Sequence, residues 1–122
     1  MSNKRILVAD DEPNLVRSLT FILQKEGYAT ASAANGEEAL EKIKQSKPDL
    51  VFLDVMMPQK NGYEVCKEVK QEPDLRSIYI IILTAKGQEA DREQGAGCGA
   101  DEFITKPFGL QEIVARVKKV LG

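Results

Sequence analysis

The sequence predicts an α/β protein with a doubly wound, parallel five-stranded sheet of the (βα)5 type. Short apolar runs with strand composition alternate along the chain with longer segments whose apolar residues recur at helical spacing. Such alternation favours right-handed crossovers and a parallel sheet covered by helices on both faces. The run Leu50–Asp54, bounded by turn residues up to Pro58, is typical of a strand buried on both faces. With 122 residues, the chain is expected to form one domain over residues 1–122.

The first strand–helix unit is predicted from residue 5 onward. Arg5–Ala9 is a short apolar run, and Pro13 suits the first turn of the helix that follows it. Apolar residues then repeat at helical spacing up to Gly27, which is expected to end this helix. The Ala-rich run Tyr28–Ala34 predicts a weaker strand at an edge of the sheet.

Capping residues and prolines set the limits of the next two helices. Asn35 is expected to cap the second helix, with Glu38 at the capping-box position. The central strand Leu50–Asp54 follows. The third helix is then predicted over Tyr63–Gln71, and Pro73 prevents its continuation.

The last two units contain the most apolar strand and the least regular helix. Ile78–Leu83 predicts a fourth strand that closes with Thr84. Residues 87–98 are expected to form a helix weakened by its glycines, since each interior glycine costs about 1 kcal/mol relative to alanine. Phe103–Thr105 predicts a short fifth strand, and Leu110–Leu121 predicts a final amphipathic helix.

Composition argues against several classes of function. The net charge of −2 disfavours a general nucleic-acid-binding surface. No apolar run approaches the roughly 18 residues of a membrane span, and the first residues lack the pattern of a signal peptide, so a cytoplasmic location is expected. The absence of histidine removes Ser–His and Cys–His catalysis, histidine metal ligation and a phosphohistidine on this chain.

Cys66 and Cys98 follow no metal spacing, lie in predicted helical segments and are expected to be reduced, semi-buried thiols rather than a disulfide.

Polar side chains follow four of the five predicted strands, at ends that a parallel sheet brings to one edge, where ligands bind. They are Asp10 and Asp11 after the first strand, Asp54 on the third, Thr84 on the fourth and Lys106 on the fifth. Three carboxylates and one lysine leave a local charge of −2, which a divalent cation would neutralise, and ligation by oxygen alone favours Mg²⁺. One carboxylate could then act as a nucleophile toward phosphorus. Asp54 is the best candidate because it stands alone on the central strand.

Four motifs, in a fixed order, give the chain a specific resemblance to a known family. The motifs are ILVADDEP, LVFLDVMMPQKNGYEV, ILTAK and GADEFITKPF, and together they span the chain. The chain resembles the receiver domain of two-component response regulators, of the chemotaxis-regulator-like kind. This resemblance implies a flavodoxin-like receiver fold with strand order 2-1-3-4-5. It also implies a regulatory rather than an enzymatic role, in which the chain catalyses only its own phosphotransfer and slow self-dephosphorylation.

The resemblance makes Asp54 the phosphoacceptor of a phosphorelay. Asp54 would take a phosphoryl group from a phosphohistidine on a sensor histidine kinase or a histidine phosphotransfer protein. Asp11 and Asp54 would ligate Mg²⁺ directly, together with the backbone carbonyl of Met56, and Asp10 would act through water.

The resemblance also implies which groups bind the phosphoryl oxygens and begin the switch. Lys106, expected to precede a cis bond to Pro107, would contact one phosphoryl oxygen, and the Thr84 hydroxyl would contact another. Thr84 would move toward the phosphoryl group, and Phe103 would turn inward behind it.

The output face would consist of the helix 87–98, the strand 103–105 and the last helix, where an effector domain or a target protein could bind. Phosphorylation is expected to order the glycine-rich helix as well as to shift it. Asp101 and Arg116 resemble residues that pair across receiver dimers, so a homodimer through residues 87–121 is a further expectation.

Three other interpretations stay open at this point. A small phosphatase of the haloacid dehalogenase type also uses an Asp nucleophile and Mg²⁺, but it expects a second Asp where this chain has Met56. A flavodoxin-like binding module expects a first loop rich in glycine or hydroxyl groups, whereas this loop reads DDEPN. A receiver-like interaction module that never gains phosphate would not need all five polar residues. Each of these residues alone also has an ordinary explanation, such as a helix cap for Asp10 and Asp11.

Overall fold

A computed structural model of the chain describes residues 4–85 and 98–122. The strands are β1 (Arg5–Ala9), β2 (Ala29–Ala33), β3 (Leu50–Asp54), β4 (Tyr79–Ala85) and β5 (Glu102–Lys106). The helices in this part of the chain are α1 (Pro13–Lys25), α2 (Gly36–Ser46), α3 (Gly62–Gln71) and α4 (Leu110–Leu121). The helix predicted for residues 87–98 lies outside the described residues except at its last position. There Cys98 occupies a turn, not a helix as predicted.

The five strands form one parallel sheet in the order 2-1-3-4-5, which confirms the predicted fold class. Strand β3 lies between β1 and β4, and all of its residues are buried. Strands β2 and β5 form the two edges and are partly exposed. The sheet therefore places the carboxyl ends of β1, β3 and β4 side by side.

Helices cover both faces of the sheet. Ile43 of α2 and Val69 of α3 belong to the core on one face. Leu23 of α1 and Val117 of α4 belong to the core on the other face, which also holds the fully buried Phe52. The double winding predicted from the apolar patterns is confirmed. Among the described helices, none has the length and apolar character needed to cross a membrane.

Asparagine caps begin both α2 and α3. The Asn35 side chain accepts the N–H of Glu38 at 2.8 Å, as predicted. The predicted capping box at this position is wrong, because Glu38 accepts the N–H of Ala34 instead of that of Asn35. A complete capping box lies at the start of α3, where Asn61 and Glu64 each accept the other's N–H.

Candidate functional site

Three carboxylates converge at the carboxyl edge of the sheet. Asp10 directly follows β1, and Asp54 ends the neighbouring strand β3. One oxygen from each of Asp10, Asp11 and Asp54 lies within 4.8 Å of the other two. Asp10 and Asp54 are buried, whereas Asp11 is exposed. The sheet thus brings together the acidic residues that the sequence places at the ends of two different strands.

Lys106, at the end of β5, reaches the same cluster. Its Nζ donates to Asp10 Oδ2 at 2.9 Å and to Asp54 Oδ1 at 3.2 Å. The Lys106 side chain is 22% exposed, while those of Asp10 and Asp54 are 0% and 8% exposed. The peptide bond between Lys106 and Pro107 is cis, as the resemblance implies.

Burial and neighbouring charge set the electrostatics of the cluster. Burial raises the pKa of Asp54 above its ordinary value, the Asp10 charge raises it further, and Lys106 opposes this rise without cancelling it. Burial alone would lower the pKa of Lys106, but the hydrogen bond to Asp10 and the Asp54 charge leave that pKa raised. Lys106 therefore remains a cation, and ionised Asp54 carries a charge that its surroundings stabilise poorly.

The acidic pair after β1 is not the cap of α1. The capping position belongs to Glu12, which makes no side-chain cap hydrogen bond. Asp10 Oδ1 instead accepts the N–H of Glu12 at 2.9 Å. This bond holds the Asp10 carboxylate in place while its other oxygen contacts Lys106. The pair is thus positioned within the cluster, not at the helix end.

Thr84 and Phe103, the two residues assigned to the switch, lie on adjacent strands. Thr84 is fully buried and follows Leu83, the β4 residue opposite Asp54. The Thr84 hydroxyl donates to the Thr105 hydroxyl on β5 at 3.5 Å, a long hydrogen bond. Phe103 is half-buried against the core on the α2–α3 face. On β5, Phe103 lies two positions before Thr105, opposite Ile82 of β4.

The loop from Asp54 to α3, which carries Met56, is held by two close backbone contacts. The Met56 side chain is 65% exposed. A Cβ on Gly62 would lie 2.5 Å from the Asp54 carbonyl oxygen, and one on Gly36 would lie 2.0 Å from the Lys60 carbonyl oxygen. Only glycine fits either position without moving this loop. Sequence reasoning missed both contacts, although each glycine directly follows a capping asparagine.

The donor set indicates which ligand the cluster can hold. Its donors are carboxylate oxygens with no imidazole or thiolate among them, a set that fits a hard cation such as Mg²⁺. Three carboxylates and one ammonium leave a charge of −2 for such a cation to offset. Fold and site together define a doubly wound α/β protein with an acidic, lysine-containing pocket at the carboxyl edge of its sheet.

The chain belongs to the response regulator receiver domain family, whose model matches residues 6–118. A curated relative is the alkaline phosphatase synthesis transcriptional regulatory protein PhoP of Bacillus subtilis (strain 168). It is 47% identical over 119 residues, which cover 98% of this chain and 49% of PhoP. The chain thus spans about half the length of that relative.

Solved structures give the same family and fold. The signal receiver domain of a signal transduction histidine kinase from Syntrophus aciditrophicus is 39% identical, with a TM-score of 0.90 over 97% of this chain and 89% of that one. The receiver domain of sensor histidine kinase PA1611 from Pseudomonas aeruginosa PAO1 is 26% identical, with a TM-score of 0.89 over 99% of both chains. That structure holds a magnesium ion coordinated in its active-site cleft. The family makes this chain a regulatory domain of two-component signalling and decides against the phosphatase and the flavodoxin-like module.

Proposed function

We propose that the chain is the phosphoacceptor of a two-component phosphorelay and that Asp54 is the residue phosphorylated. The observation that carries this proposal is the buried arrangement in which Lys106 bridges Asp10 and Asp54 beside Asp11. A carboxylate surrounded by like charge gains stability when it is converted into an acyl phosphate whose added charge is met by cations. Among the carboxylates of the cluster, Asp54 alone ends the central strand.

The proposed transfer is a displacement at phosphorus by the Asp54 carboxylate. A bond forms between an Asp54 oxygen and phosphorus while the bond from phosphorus to the leaving group breaks. The leaving group is an imidazole nitrogen when the donor is a sensor histidine kinase or a histidine phosphotransfer protein, and acetate when the donor is acetyl phosphate. Lys106 Nζ, 3.2 Å from Asp54 Oδ1, would stabilise one phosphoryl oxygen. The Thr84 hydroxyl would leave Thr105 and donate to another.

Asp11, Asp54 and the backbone carbonyl of Met56 would hold Mg²⁺, and Asp10 would act through water. Support comes from the oxygen-only donor set of this chain and from the magnesium ion in the cleft of the PA1611 receiver domain. When bound, Mg²⁺ supplies positive charge that offsets both the carboxylates and the phosphoryl oxygens. The same pocket would later admit water and slowly hydrolyse the acyl phosphate.

The output of the switch would be the face formed by β5, α4 and the helix predicted for residues 87–98. Movement of Thr84 would open space next to β5, and Phe103 would turn inward to fill it. Because Phe103 carries no hydroxyl, packing alone would fix its position. An effector domain or a target protein would bind this face and respond to its change in conformation. The relative PhoP, about half of which this chain spans, is a transcriptional regulatory protein.

In a homodimer through residues 87–121, Asp101 and Arg116 would form ion pairs with the second copy in place of those that they form within the chain. Asp101 pairs with Lys70 at 2.8 Å, and Arg116 pairs with Glu102. A second copy would have to replace these partners at similar free energy. We further infer a cytoplasmic location and no direct contact of this domain with nucleic acid or a membrane.

Incubation with acetyl phosphate and Mg²⁺, followed by intact mass measurement, tests the proposal. The wild-type protein should gain one phosphoryl group, and it should gain none in a chelator. Asp54→Asn should gain none under either condition. Asp74→Asn, the same change at an exposed turn residue, should behave like the wild type. An unmodified wild type, or equal labelling of Asp54→Asn, would contradict the proposal.

A further inference from the structure

We propose that Cys66 and Cys98 form a redox-active dithiol, which a peroxide-class oxidant converts into an intramolecular disulfide between α3 and the turn before β5. Neither residue belongs to the acidic cluster. They are the two cysteines of the 122-residue chain, so no third thiol competes for the pairing. The site is a modification site separate from the phosphoacceptor, and its chemistry does not depend on phosphorylation.

The fold brings the two thiols together from positions 32 residues apart. Cys66 lies on the buried face of α3, and Cys98 lies in the turn that leads into β5. The Cys66 thiol is 3.5 Å from the Cys98 carbonyl oxygen and donates to it. The two side chains also form a hydrogen bond with each other. Two thiols that the fold brings within hydrogen-bonding reach across two elements are placed to form a disulfide.

The surroundings give the two thiols different roles. The hydrogen bond with Cys66 lowers the pKa of Cys98 to about 7, and the backbone N–H groups of Ala100 and Cys98 act in the same direction against burial. The same hydrogen bond, together with burial, raises the pKa of Cys66. Among the charged neighbours, Lys70 favours the thiolate at both positions, and Asp101 disfavours it at Cys66. Cys98 is thus the nucleophile, and Cys66 is the thiol that resolves it.

The oxidation proceeds in two balanced steps. The Cys98 thiolate attacks one oxygen of hydrogen peroxide, the O–O bond breaks and hydroxide leaves, which gives a sulfenic acid on Cys98. The Cys66 sulfur then attacks the Cys98 sulfur. The S–O bond breaks, and the hydroxyl group departs as water with the Cys66 proton. Two thiols are oxidised, and one peroxide is reduced to two waters once the hydroxide recovers the proton that Cys98 released. Cys98 is 5% exposed and Cys66 fully buried, so a small oxidant meets Cys98 first.

The cross-link would restrain the entry to β5. Both cysteines belong to the core against which Phe103 packs. A covalent bond from α3 to the turn at Cys98 would fix the start of the strand that carries Phe103 and Lys106. It would also close a loop around β4, which restricts the unfolded chain and raises the midpoint of thermal unfolding.

Thiol counting on the full, folded chain tests the proposal. The protein is treated with hydrogen peroxide and the excess is removed. It is then unfolded in an alkylating agent, and the intact mass and a non-reducing gel are recorded. The expected product is a monomer in which neither cysteine is alkylated and whose mass is lower by two hydrogen atoms. Dithiothreitol should restore both thiols. Cys66→Ser should instead carry a sulfenic acid on Cys98, and Cys98→Ser should keep Cys66 alkylatable.

Three outcomes would overturn the proposal. In the first, both thiols can still be alkylated after peroxide treatment. In the second, thiols are lost only by oxidation to sulfinic acids, and in the third they are lost only by formation of cross-linked dimers. The wild-type result decides the matter even if a serine variant fails to fold, because the chain has no other cysteine. Since the readout is a thiol count, failure of this proposal and failure of the phosphoacceptor proposal are distinguishable.

Discussion

At the scale of single residues, Asp54 is held in a state that opposes folding. It is buried beside Asp10, and its only cation within hydrogen-bond distance among the described residues, Lys106, is shared with Asp10. The raised pKa of Asp54 reports this cost. Such a carboxylate is unfavourable for stability and is retained where chemistry needs it.

Replacing Asp54 with asparagine is expected to stabilise the metal-free protein at neutral pH. The pKa of Asp54 lies above its ordinary value of 3.8 in the folded state. At pH values between the ordinary pKa and the raised pKa of the folded state, the folded protein binds more protons than the unfolded chain. The free energy of unfolding therefore falls as pH rises through this interval. Asp54→Asn should therefore raise the thermal midpoint at neutral pH in a chelator, and the gain should vanish in acid below the ordinary value.

Asp74→Asn is the matched control, because it removes an exposed carboxylate and should leave the midpoint nearly unchanged at both pH values. A midpoint for Asp54→Asn below that of the wild type at neutral pH would show that ionised Asp54 stabilises the fold.

Replacing Lys106 with methionine is expected to slow phosphoryl gain from acetyl phosphate by roughly 10²-fold, the usual cost of losing one preorganised donor to a developing charge. The rate is followed by intact mass over time with saturating Mg²⁺. Lys106→Arg keeps the charge and should retain part of the rate. Lys67→Met, on the exposed side of α3, should match the wild type. An unaltered rate in Lys106→Met would remove this residue from the mechanism.

At the scale of elements, α2 and α3 begin with the same local structure. Each has an asparagine cap followed by a glycine that lets backbone approach closely, at Asn35–Gly36 and Asn61–Gly62. The contact at Gly36 is with the Lys60 carbonyl, so the start of α2 packs against the loop between Asp54 and α3. The two helices thereby fix the loop that carries Met56.

Asn61→Ala is expected to lower the free energy of unfolding by about 1 kcal/mol, the typical cost of losing a helix cap. It removes the 2.9 Å bond from the Glu64 N–H to the Asn61 side chain. Denaturant unfolding measures the change. Asn61→Asp, which keeps an acceptor at the cap, should restore most of the loss. Equal stability of the alanine variant and the wild type would mean that the capping box contributes nothing.

At the scale of the whole molecule, the parallel sheet assembles the cluster from three places in the sequence. Asp10 and Asp11 follow β1, Asp54 ends β3 and Lys106 ends β5. No local segment contains the site, so binding there is coupled to folding of the entire sheet.

Mg²⁺ is therefore expected to stabilise the whole fold by mass action. At a concentration one hundred times its dissociation constant, a ligand that binds only the folded state adds about 2.7 kcal/mol. The thermal midpoint should rise with Mg²⁺ in the wild type and much less in Asp11→Asn, which alters an exposed carboxylate of the proposed metal site without disturbing the core. The same rise in both proteins would indicate a non-specific salt effect.

The sequence predicted most of the fold because its periodicities are strong and local. The apolar run of β3 and the spacing in α4 gave the observed limits, Leu50–Asp54 and Leu110–Leu121. The five polar residues at strand ends were also found from position alone. Strand order came from the family resemblance, since periodicity does not say which strands are neighbours. The ligand and switch roles of the cluster came from the resemblance too, whereas Asp54 was already the best nucleophile by its position.

Contacts between distant segments could not be predicted in this way. The pairing of Cys66 with Cys98 depends on how α3 lies against the turn before β5. Both thiols were also expected to be semi-buried and in helices, whereas both are buried and Cys98 is in a turn. The hydrogen bond from the Ala34 N–H to the Glu38 side chain depends on a Glu38 rotamer that the capping-box pattern does not determine. Such features follow from tertiary geometry rather than from composition or spacing.

Mapping the modified residue shows directly whether Asp54 is the phosphoacceptor. The protein, labelled with acetyl phosphate and Mg²⁺, is treated with borohydride, which reduces an acyl phosphate to the corresponding alcohol. Peptide sequencing by mass spectrometry then locates the resulting homoserine. Homoserine is expected at position 54 alone, and none is expected in protein labelled without Mg²⁺. Homoserine at position 10 or 11, or phosphate retained on a serine or threonine, would contradict it.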